Sequence, residues 1–151
     1  MTTGADLGQT IDAFVSAFND PEPDLDRVMS FFAEDARYLP GHGPELRGLA
    51  AIRAEFAPQF AGRYGAMTFD VYDRVIDESR GRATIRWACR LNLTGEHGRR
   101  AIPPLRWFAR IRHGGRVQWH GLDVFHFDPE GRITGKFTYA TFRLPLWERA
   151  R

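Results

Sequence analysis

A carboxylate stands in the middle of an apolar segment of this sequence. In GLDVFHFDPEGRI, residues 121–133, alternating side chains predict a β-strand, and Asp-Pro-Glu-Gly predicts a turn into a second strand. Asp123 shares a strand face with Phe125 and Phe127. A carboxylate on an apolar face is costly unless it is paired or protonated, so Asp123 is the first candidate for acid–base chemistry.

Lys136, the only lysine in the chain, is the candidate partner of Asp123. If the turn is a four-residue connection, Phe127 faces Arg132, and counting back along both strands puts Asp123 opposite Lys136. A three-residue loop with a bulge would shift this pairing by one residue. The residues alone leave two interpretations open: an exposed ion pair of little energetic value, or a desolvated pair in a pocket that can transfer a proton.

The other reactive side chains are weaker candidates. Cys89 lies on an apolar strand face between Trp87 and Leu91, where a cysteine usually behaves as a small hydrophobe. His120 and His126 are six residues apart on one predicted strand, about 20 Å by strand rise, too far to share a metal. The sequence contains no GxSxG, HExxH, CxxC or phosphate-binding glycine loop. We therefore expect neither a metal nor a cofactor.

The first half of the chain predicts three helices that would cover the strands. Residues 5–20 carry apolar side chains at three- and four-residue spacing. Asp24 can cap a short second helix, and a third helix is predicted from about Leu49 to Phe60. The apolar side of the second helix would hold Leu25, Val28, Met29 and Phe32.

From residue 67 the apolar period changes to two, which predicts strands. They cover residues 67–77, 82–94, 105–127 and 133–142, with the third of these ranges interpreted as a hairpin that turns at His113-Gly114-Gly115. Helices followed by antiparallel strands predict an α+β fold with the helices packed on one face of a sheet. The 151 residues are expected to form a single domain.

Composition excludes several classes of function. Hydrophobic content of 43% and charged content of 26% are typical of a soluble globular protein. The net charge is +2 and the arginines are spread through every segment, which disfavours a nucleic-acid partner. No apolar run approaches the roughly 20 residues of a membrane span, and the N-terminus lacks a signal-peptide pattern, so we expect a cytoplasmic protein without a membrane partner.

Two segments carry a resemblance to a known group of proteins. FFAEDARYLPGHGPELRGLAAI and GLDVFHFDPEGRI, together with the order of elements, resemble the nuclear-transport-factor-two-like superfamily. Within it, the chain looks like the branch of ketosteroid isomerases, limonene epoxide hydrolases and SnoaL-like polyketide cyclases. The resemblance implies a cone-shaped barrel with a strongly curved, mostly antiparallel sheet around an apolar pocket, and a homodimer.

The resemblance gives Asp123 two possible counterparts. It falls where ketosteroid isomerases keep a protonated aspartic acid, and where polyketide cyclases keep an acid–base aspartate. The isomerase's base should lie near Leu39-Pro40, and its oxyanion-binding tyrosine near Phe14, but neither position carries a suitable group. A steroid isomerase with the usual residues is therefore disfavoured.

The chain departs from the epoxide hydrolase pattern at other positions. Its arginine and aspartate on the long strand would correspond to Trp87 and Cys89, and its base on the last strand to Thr138. Its water-holding tyrosine is retained as Tyr38. Among the branch's reactions, an epoxide hydrolase would need a rearranged site.

The resemblance places Asp123 and Lys136 on the pocket side of the sheet, which favours the functional interpretation. We expect an enzyme that isomerises, cyclises or dehydrates a hydrophobic cyclic substrate of polyketide, terpenoid or steroid-like type. Asp123 would be the general acid/base, Lys136 would favour its carboxylate form, and Tyr38 would donate a hydrogen bond to substrate or water. A non-catalytic ligand-binding or dimerisation module is the alternative. The predicted substrate contacts are Trp87, Cys89, Trp107, Trp119, Phe125, Phe56, Phe60 and Thr138.

Overall fold

The computed structural model describes residues 6–140 and the backbone of residues 148–149. Thr141 and Phe142, which the sequence assigns to the last strand, lie outside the described residues, as do residues 1–5. The helices are α1 (Leu7–Asn19), α2 (Leu25–Met29), α3 (Leu49–Phe60), α4 (Gly95–Arg100) and α5 (Pro103–His113). The strands are β1 (Phe32–Leu39), β2 (Leu46–Arg47), β3 (Ala66–Asp77), β4 (Arg82–Asn92), β5 (Arg116–Phe127), β6 (Ile133–Ala140) and β7 (Glu148–Arg149).

The three predicted N-terminal helices are confirmed. The Asp6 and Asp24 side chains accept hydrogen bonds from the backbone N–H groups of Gln9 and Asp26, which caps α1 and α2. The one error is at Phe32, predicted in the second helix, because the chain has already entered β1 there. Strand β1 therefore begins directly after the short helix α2.

The strands form one mixed sheet in the order β2-β1-β6-β5-β4-β3, with β7 pairing with β5. All pairs are antiparallel except β1 with β6. Helix α1 packs against β3 and helix α3 against β1. This is the predicted α+β fold of helices on a mostly antiparallel sheet, but within the described residues the sheet is open, with β2 and β3 at its edges, and is not closed into a barrel.

The prediction of a hairpin over residues 105–119 is wrong, because residues 103–113 form helix α5. Pro103 and Pro104 occupy the first turn, where a missing N–H costs nothing, and Gly114 closes the helix at φ +65°. Alternation of arginine with apolar residues in this segment fits a strand as well as an exposed helix, and these end signals decide between them. Strand β5 begins only at Arg116.

Candidate active site

A cavity of about 480 Å³ lies between the helices and the inner face of the sheet. Its volume is in the range of small-molecule sites. Most of its wall is apolar, and edge-to-face aromatic contacts hold that wall, such as Phe18 with Phe56 (5.4 Å) and Phe69 with Trp87 (5.3 Å). The aromatic and aliphatic lining residues are Phe14, Val15, Phe18, Phe56, Tyr64, Met67, Phe69, Ile85, Trp87, Leu91, Leu105 and Trp119.

Three polar side chains meet at the buried end of this cavity. Lys136 Nζ lies 3.0 Å from Asp123 Oδ1 and donates to Thr138 Oγ1 at 2.8 Å. Thr138 Oγ1 in turn donates to Asp123 Oδ1 at 2.6 Å. All three residues are buried. We call Asp123, Thr138 and Lys136 the polar floor.

The register that builds the floor differs from the predicted one. Asp123 lies opposite Thr138, and Lys136 lies opposite Phe125, because the turn and a bulge after His126 together shift the pairing by two residues. Side chains alternate with a period of two, so a two-residue shift keeps Lys136 on the face of Asp123. The ion pair therefore forms on the diagonal, and Thr138 fills the position directly opposite the carboxylate.

Tyr38 joins the floor from β1, where it lies beside Lys136 in the parallel pair with β6. The ammonium of Lys136 is 5.0 Å from the centre of the Tyr38 ring. Burial raises the pKa of the Tyr38 hydroxyl, and the negative charge of Asp123 raises it further; a hydrogen bond with Thr138 lowers this pKa by less, and the charge of Glu55 adds a smaller rise. Tyr38 therefore keeps its proton and can act as a hydrogen-bond donor.

The structure separates the predicted substrate contacts into two groups. Trp87, Trp119, Phe56 and Thr138 line the cavity. Trp107, predicted as a possible contact, is 69% exposed on helix α5, because that segment is a helix and turns the side chain to solvent.

Three further predicted contacts are absent from the described lining of the cavity. Phe125 is wholly buried behind the floor against Phe14, with ring centres 5.7 Å apart. Phe60 packs against Phe18 at 5.4 Å. Cys89 is fully buried, and burial raises the pKa of its thiol, which disfavours the reactive thiolate.

Sequence reasoning missed a second polar group that lines the cavity. His42 Nε2 lies 2.9 Å from Glu55 Oε1, and Gln59 lines the cavity one helical turn after Glu55. His42 is in the Pro-Gly-rich loop after β1, and Glu55 is on α3 beside Phe56. A signal was present in the four-residue spacing of Glu55 and Gln59, which puts both on one face of α3.

Among the described residues, no set of three or more histidine, cysteine, aspartate or glutamate side chains converges to form a possible metal site. Among the helices of residues 6–140, none is long and apolar enough to cross a bilayer.

Comparison with known proteins identifies the family. The sequence profile of the SnoaL-like domain matches residues 11–136, which is most of the chain. The chain belongs to the SnoaL-like domain family. The resemblance carried by the two sequence segments is thereby confirmed. A search of curated protein sequences finds no match.

Solved structures share the fold at low sequence identity. SalBIII, described as an epoxide hydrolase/cyclase-like enzyme with a role in pyran ring formation in the polyether salinomycin, has a TM-score of 0.66 and 19% identity, covering 90% of this chain and 91% of SalBIII. A candidate polyketide cyclase from Xanthomonas campestris has a TM-score of 0.63 and 20% identity, covering 89% of this chain and 90% of that one. An LEH-like epoxide hydrolase from M. tuberculosis has a TM-score of 0.64 and 20% identity, covering 91% and 84%.

Proposed function

We propose that this SnoaL-like protein is an enzyme that uses acid–base catalysis on a hydrophobic cyclic substrate. The observation that carries the proposal is the polar floor, a carboxylate held by a threonine hydroxyl and an ammonium at the end of an otherwise apolar cavity. A few convergent polar groups in a mainly apolar cavity are typical of small-molecule sites. The substrate would be of polyketide, terpenoid or steroid-like type.

Asp123 is assigned as the general base. The ammonium of Lys136 lies 3.0 Å away and forms an ion pair with Asp123, and a carboxylate is the form that accepts a proton. A neutral aspartic acid that donates to an enolate, as in the ketosteroid isomerases that the sequence resembles, does not fit this neighbour. Thr138 and Lys136 act as positioning residues that hold the carboxylate.

The proposed reaction begins with proton transfer to Asp123. The carboxylate takes a proton from the carbon next to a substrate carbonyl, and the electron pair of that C–H bond forms an enolate. Tyr38, which keeps its proton, donates a hydrogen bond to the enolate oxygen. Asp123 then returns the proton to another carbon in an isomerisation, or to a departing hydroxide, which leaves as water, in a dehydration. In a cyclisation the enolate carbon attacks a second carbonyl carbon of the substrate, the π bond of that carbonyl breaks to give an alkoxide, and Asp123 returns the proton to the alkoxide oxygen.

Proton exchange tests this assignment without knowledge of the natural substrate. Cyclic ketones such as 2-tetralone and androstenedione are incubated with the protein in D₂O, and loss of the α-proton signals is followed by NMR. We expect exchange faster than in buffer, and Asp123→Asn should reduce the enzyme-dependent rate by at least 100-fold. Asp73→Asn, on the outer face of the same sheet, is the matched control and should leave the rate unchanged. Undiminished exchange in Asp123→Asn would show the assignment to be wrong.

A second candidate is an epoxide hydrolase with a rearranged site. It is favoured because two proteins that share the fold are described as an epoxide hydrolase/cyclase-like enzyme and an LEH-like epoxide hydrolase. By the resemblance to epoxide hydrolases, Trp87 and Cys89 occupy the positions of the arginine and aspartate used in that reaction. Water would therefore have to be activated by Asp123 with Tyr38. A panel of cyclic epoxides analysed for diol products decides this candidate. Absence of any diol excludes it.

A non-catalytic module that binds a ligand is the third candidate, because two sets of family catalytic residues are replaced in this chain. A hydrophobic compound that co-purifies and stays chemically unchanged over hours would support it over the enzyme. We also propose that residues 1–151 form one domain, which assembles as a cytoplasmic homodimer without a cofactor. Light scattering of the purified chain tests the dimer.

A further inference from the structure

The His42–Glu55 pair marks the open end of the cavity. The side chains of His42 and Glu55 are 63% and 31% exposed, whereas those of Asp123 and Lys136 are 7% and 8% exposed. Both pairs belong to the lining of one cavity. The cavity therefore runs from a half-exposed polar end, the polar mouth formed by His42, Glu55 and Gln59, to the buried polar floor.

An aromatic belt separates the two polar ends. Phe56 follows Glu55 on α3 and packs against Tyr38 with ring centres 5.1 Å apart. The charges of both Asp123 and Glu55 act on the Tyr38 hydroxyl, which places Tyr38 within electrostatic reach of both ends. A ligand that fills the cavity must match this order: polar, apolar, polar.

The chemistry of the mouth favours a hydroxyl over an acid. The Glu55 carboxylate accepts hydrogen bonds, the Gln59 amide both donates and accepts, and the His42 ring lies 2.9 Å from Glu55. A ligand carboxylate would meet the negative charge of Glu55, whereas a hydroxyl can donate to Glu55 and accept from Gln59. Hydrogen bonds to charged groups are the stronger ones, so this contact can discriminate between ligands.

We propose that the polar mouth is a specificity site that binds a hydroxyl group at the far end of the substrate from its carbonyl. The ligand class is a hydroxylated, apolar, fused-ring ketone whose carbonyl points to the floor and whose hydroxyl is held by Glu55 and Gln59, with His42 orienting Glu55. The placement of the carbonyl rests on the proposed function, but the preference for the distal hydroxyl does not.

A matched pair of probes tests the proposal. Androstan-3-one and dihydrotestosterone differ by one hydroxyl on the ring farthest from the ketone, and binding is followed by quenching of tryptophan fluorescence, since Trp87 and Trp119 line the cavity. We expect the hydroxylated probe to bind about tenfold more tightly, as a hydrogen bond to a charged group warrants. Glu55→Gln should reduce this preference to less than about threefold, mainly by weakening binding of the hydroxylated probe.

Two control variants separate the mouth from the floor. Glu45→Gln removes a carboxylate that pairs with Arg37 and is absent from the described lining, so the preference should persist. Asp123→Asn should also retain the preference for the hydroxylated probe while it abolishes α-proton exchange. The proposed function and the proposed specificity site can therefore be disproved independently. Equal affinity of the unaltered protein for both probes, binding of neither probe, or an unchanged preference in Glu55→Gln would overturn the proposal.

Discussion

Each face of the sheet carries an ion pair between an aspartate and a basic side chain, but the two pairs have opposite surroundings. On the outer face, Arg90 Nη2 lies 3.1 Å from Asp70 Oδ2, with about half of each side chain exposed. On the inner face, Lys136 Nζ lies 3.0 Å from Asp123 Oδ1, with less than a tenth of each side chain exposed. The distances are almost equal, so the difference between the pairs comes from solvent. Water screens the outer charges, whereas each inner charge depends on its partner.

Removal of one member of the inner ion pair should have the largest effect on the free energy of unfolding. Lys136→Met leaves the Asp123 carboxylate buried without its ammonium, and we expect the free energy of unfolding to fall by about 3–5 kcal/mol. Urea denaturation followed by fluorescence measures this change. The double variant Asp123→Leu/Lys136→Met should recover most of the loss, because it removes both charges. A loss below about 1 kcal/mol in Lys136→Met would make the inner pair equivalent to the outer one.

Close packing on the inner face should give the next largest effect. A Cβ at Gly121 would lie 2.5 Å from the Trp87 ring, so Gly121→Ala forces that ring to move and should cost about 1–3 kcal/mol. Thermal unfolding measures the cost, and Gly43→Ala, where the Cβ would make ordinary contact at 3.6 Å, is the control. Combining Gly121→Ala with Trp87→Phe should relieve the contact with the indole ring, whereas the contact of the new Cβ with the Tyr139 carbonyl oxygen at 2.9 Å remains. Additive losses in the double variant would contradict this packing argument.

Neutralisation on the outer face should cost less. Asp70→Asn breaks the exposed pair with Arg90, and we expect a loss below about 1 kcal/mol in the free energy of unfolding. The loss should shrink further in 0.5 M salt, because exposed charges are screened. Urea denaturation at low and high salt measures both. A larger, salt-independent loss would remove the distinction between the faces.

The smallest effect is expected at the end of β3, where the side chain of Asp77 is 36% exposed. Hydrogen bonds from Ser79 and Arg80 lower the pKa of Asp77 to about 2, from an ordinary value of 3.8. A lowered folded-state pKa contributes stability that is present above pH 3.8 and is lost as the pH falls through about 2. Urea midpoints at pH 5 and at pH 2.5 should therefore differ slightly less in Asp77→Asn than in the unaltered protein. An identical difference in both would show that Asp77 does not contribute.

The period of two allowed the floor to be predicted before its register was known. Asp123 and Lys136 were placed on one face, and the two-residue shift that moved Thr138 opposite Asp123 left that face unchanged. Helix α1 is equally predictable, because its apolar spacing and its Asp6 cap agree. For α3 the prediction rests on the apolar spacing of Ile52 and Phe56, since no side chain caps its start. These predictions depend only on local pattern.

The remaining features are not decided by the period of the apolar residues alone. Helix α5 was mistaken for a hairpin because alternating arginines fit both periods, and Trp107 was misplaced with it. The mouth was missed because His42 is on a loop, and nothing local shows that it meets Glu55 on α3. Cys89 and Phe125 share the inner face with Asp123, but strand parity does not show which inner residues other side chains cover.

Because Cys89 is completely buried, its thiol can report transient separation of the sheet from the helices that cover it. It is the only cysteine in the sequence, it lies on β4, and its pKa is raised by burial. A thiol-specific reagent can reach it only when the inner sheet separates from its cover, so the rate of labelling measures how often that separation occurs. A bound ligand that bridges helices and sheet should slow the labelling, whatever reaction follows. The thiol thus offers a screen for cavity ligands that requires neither turnover nor an engineered probe.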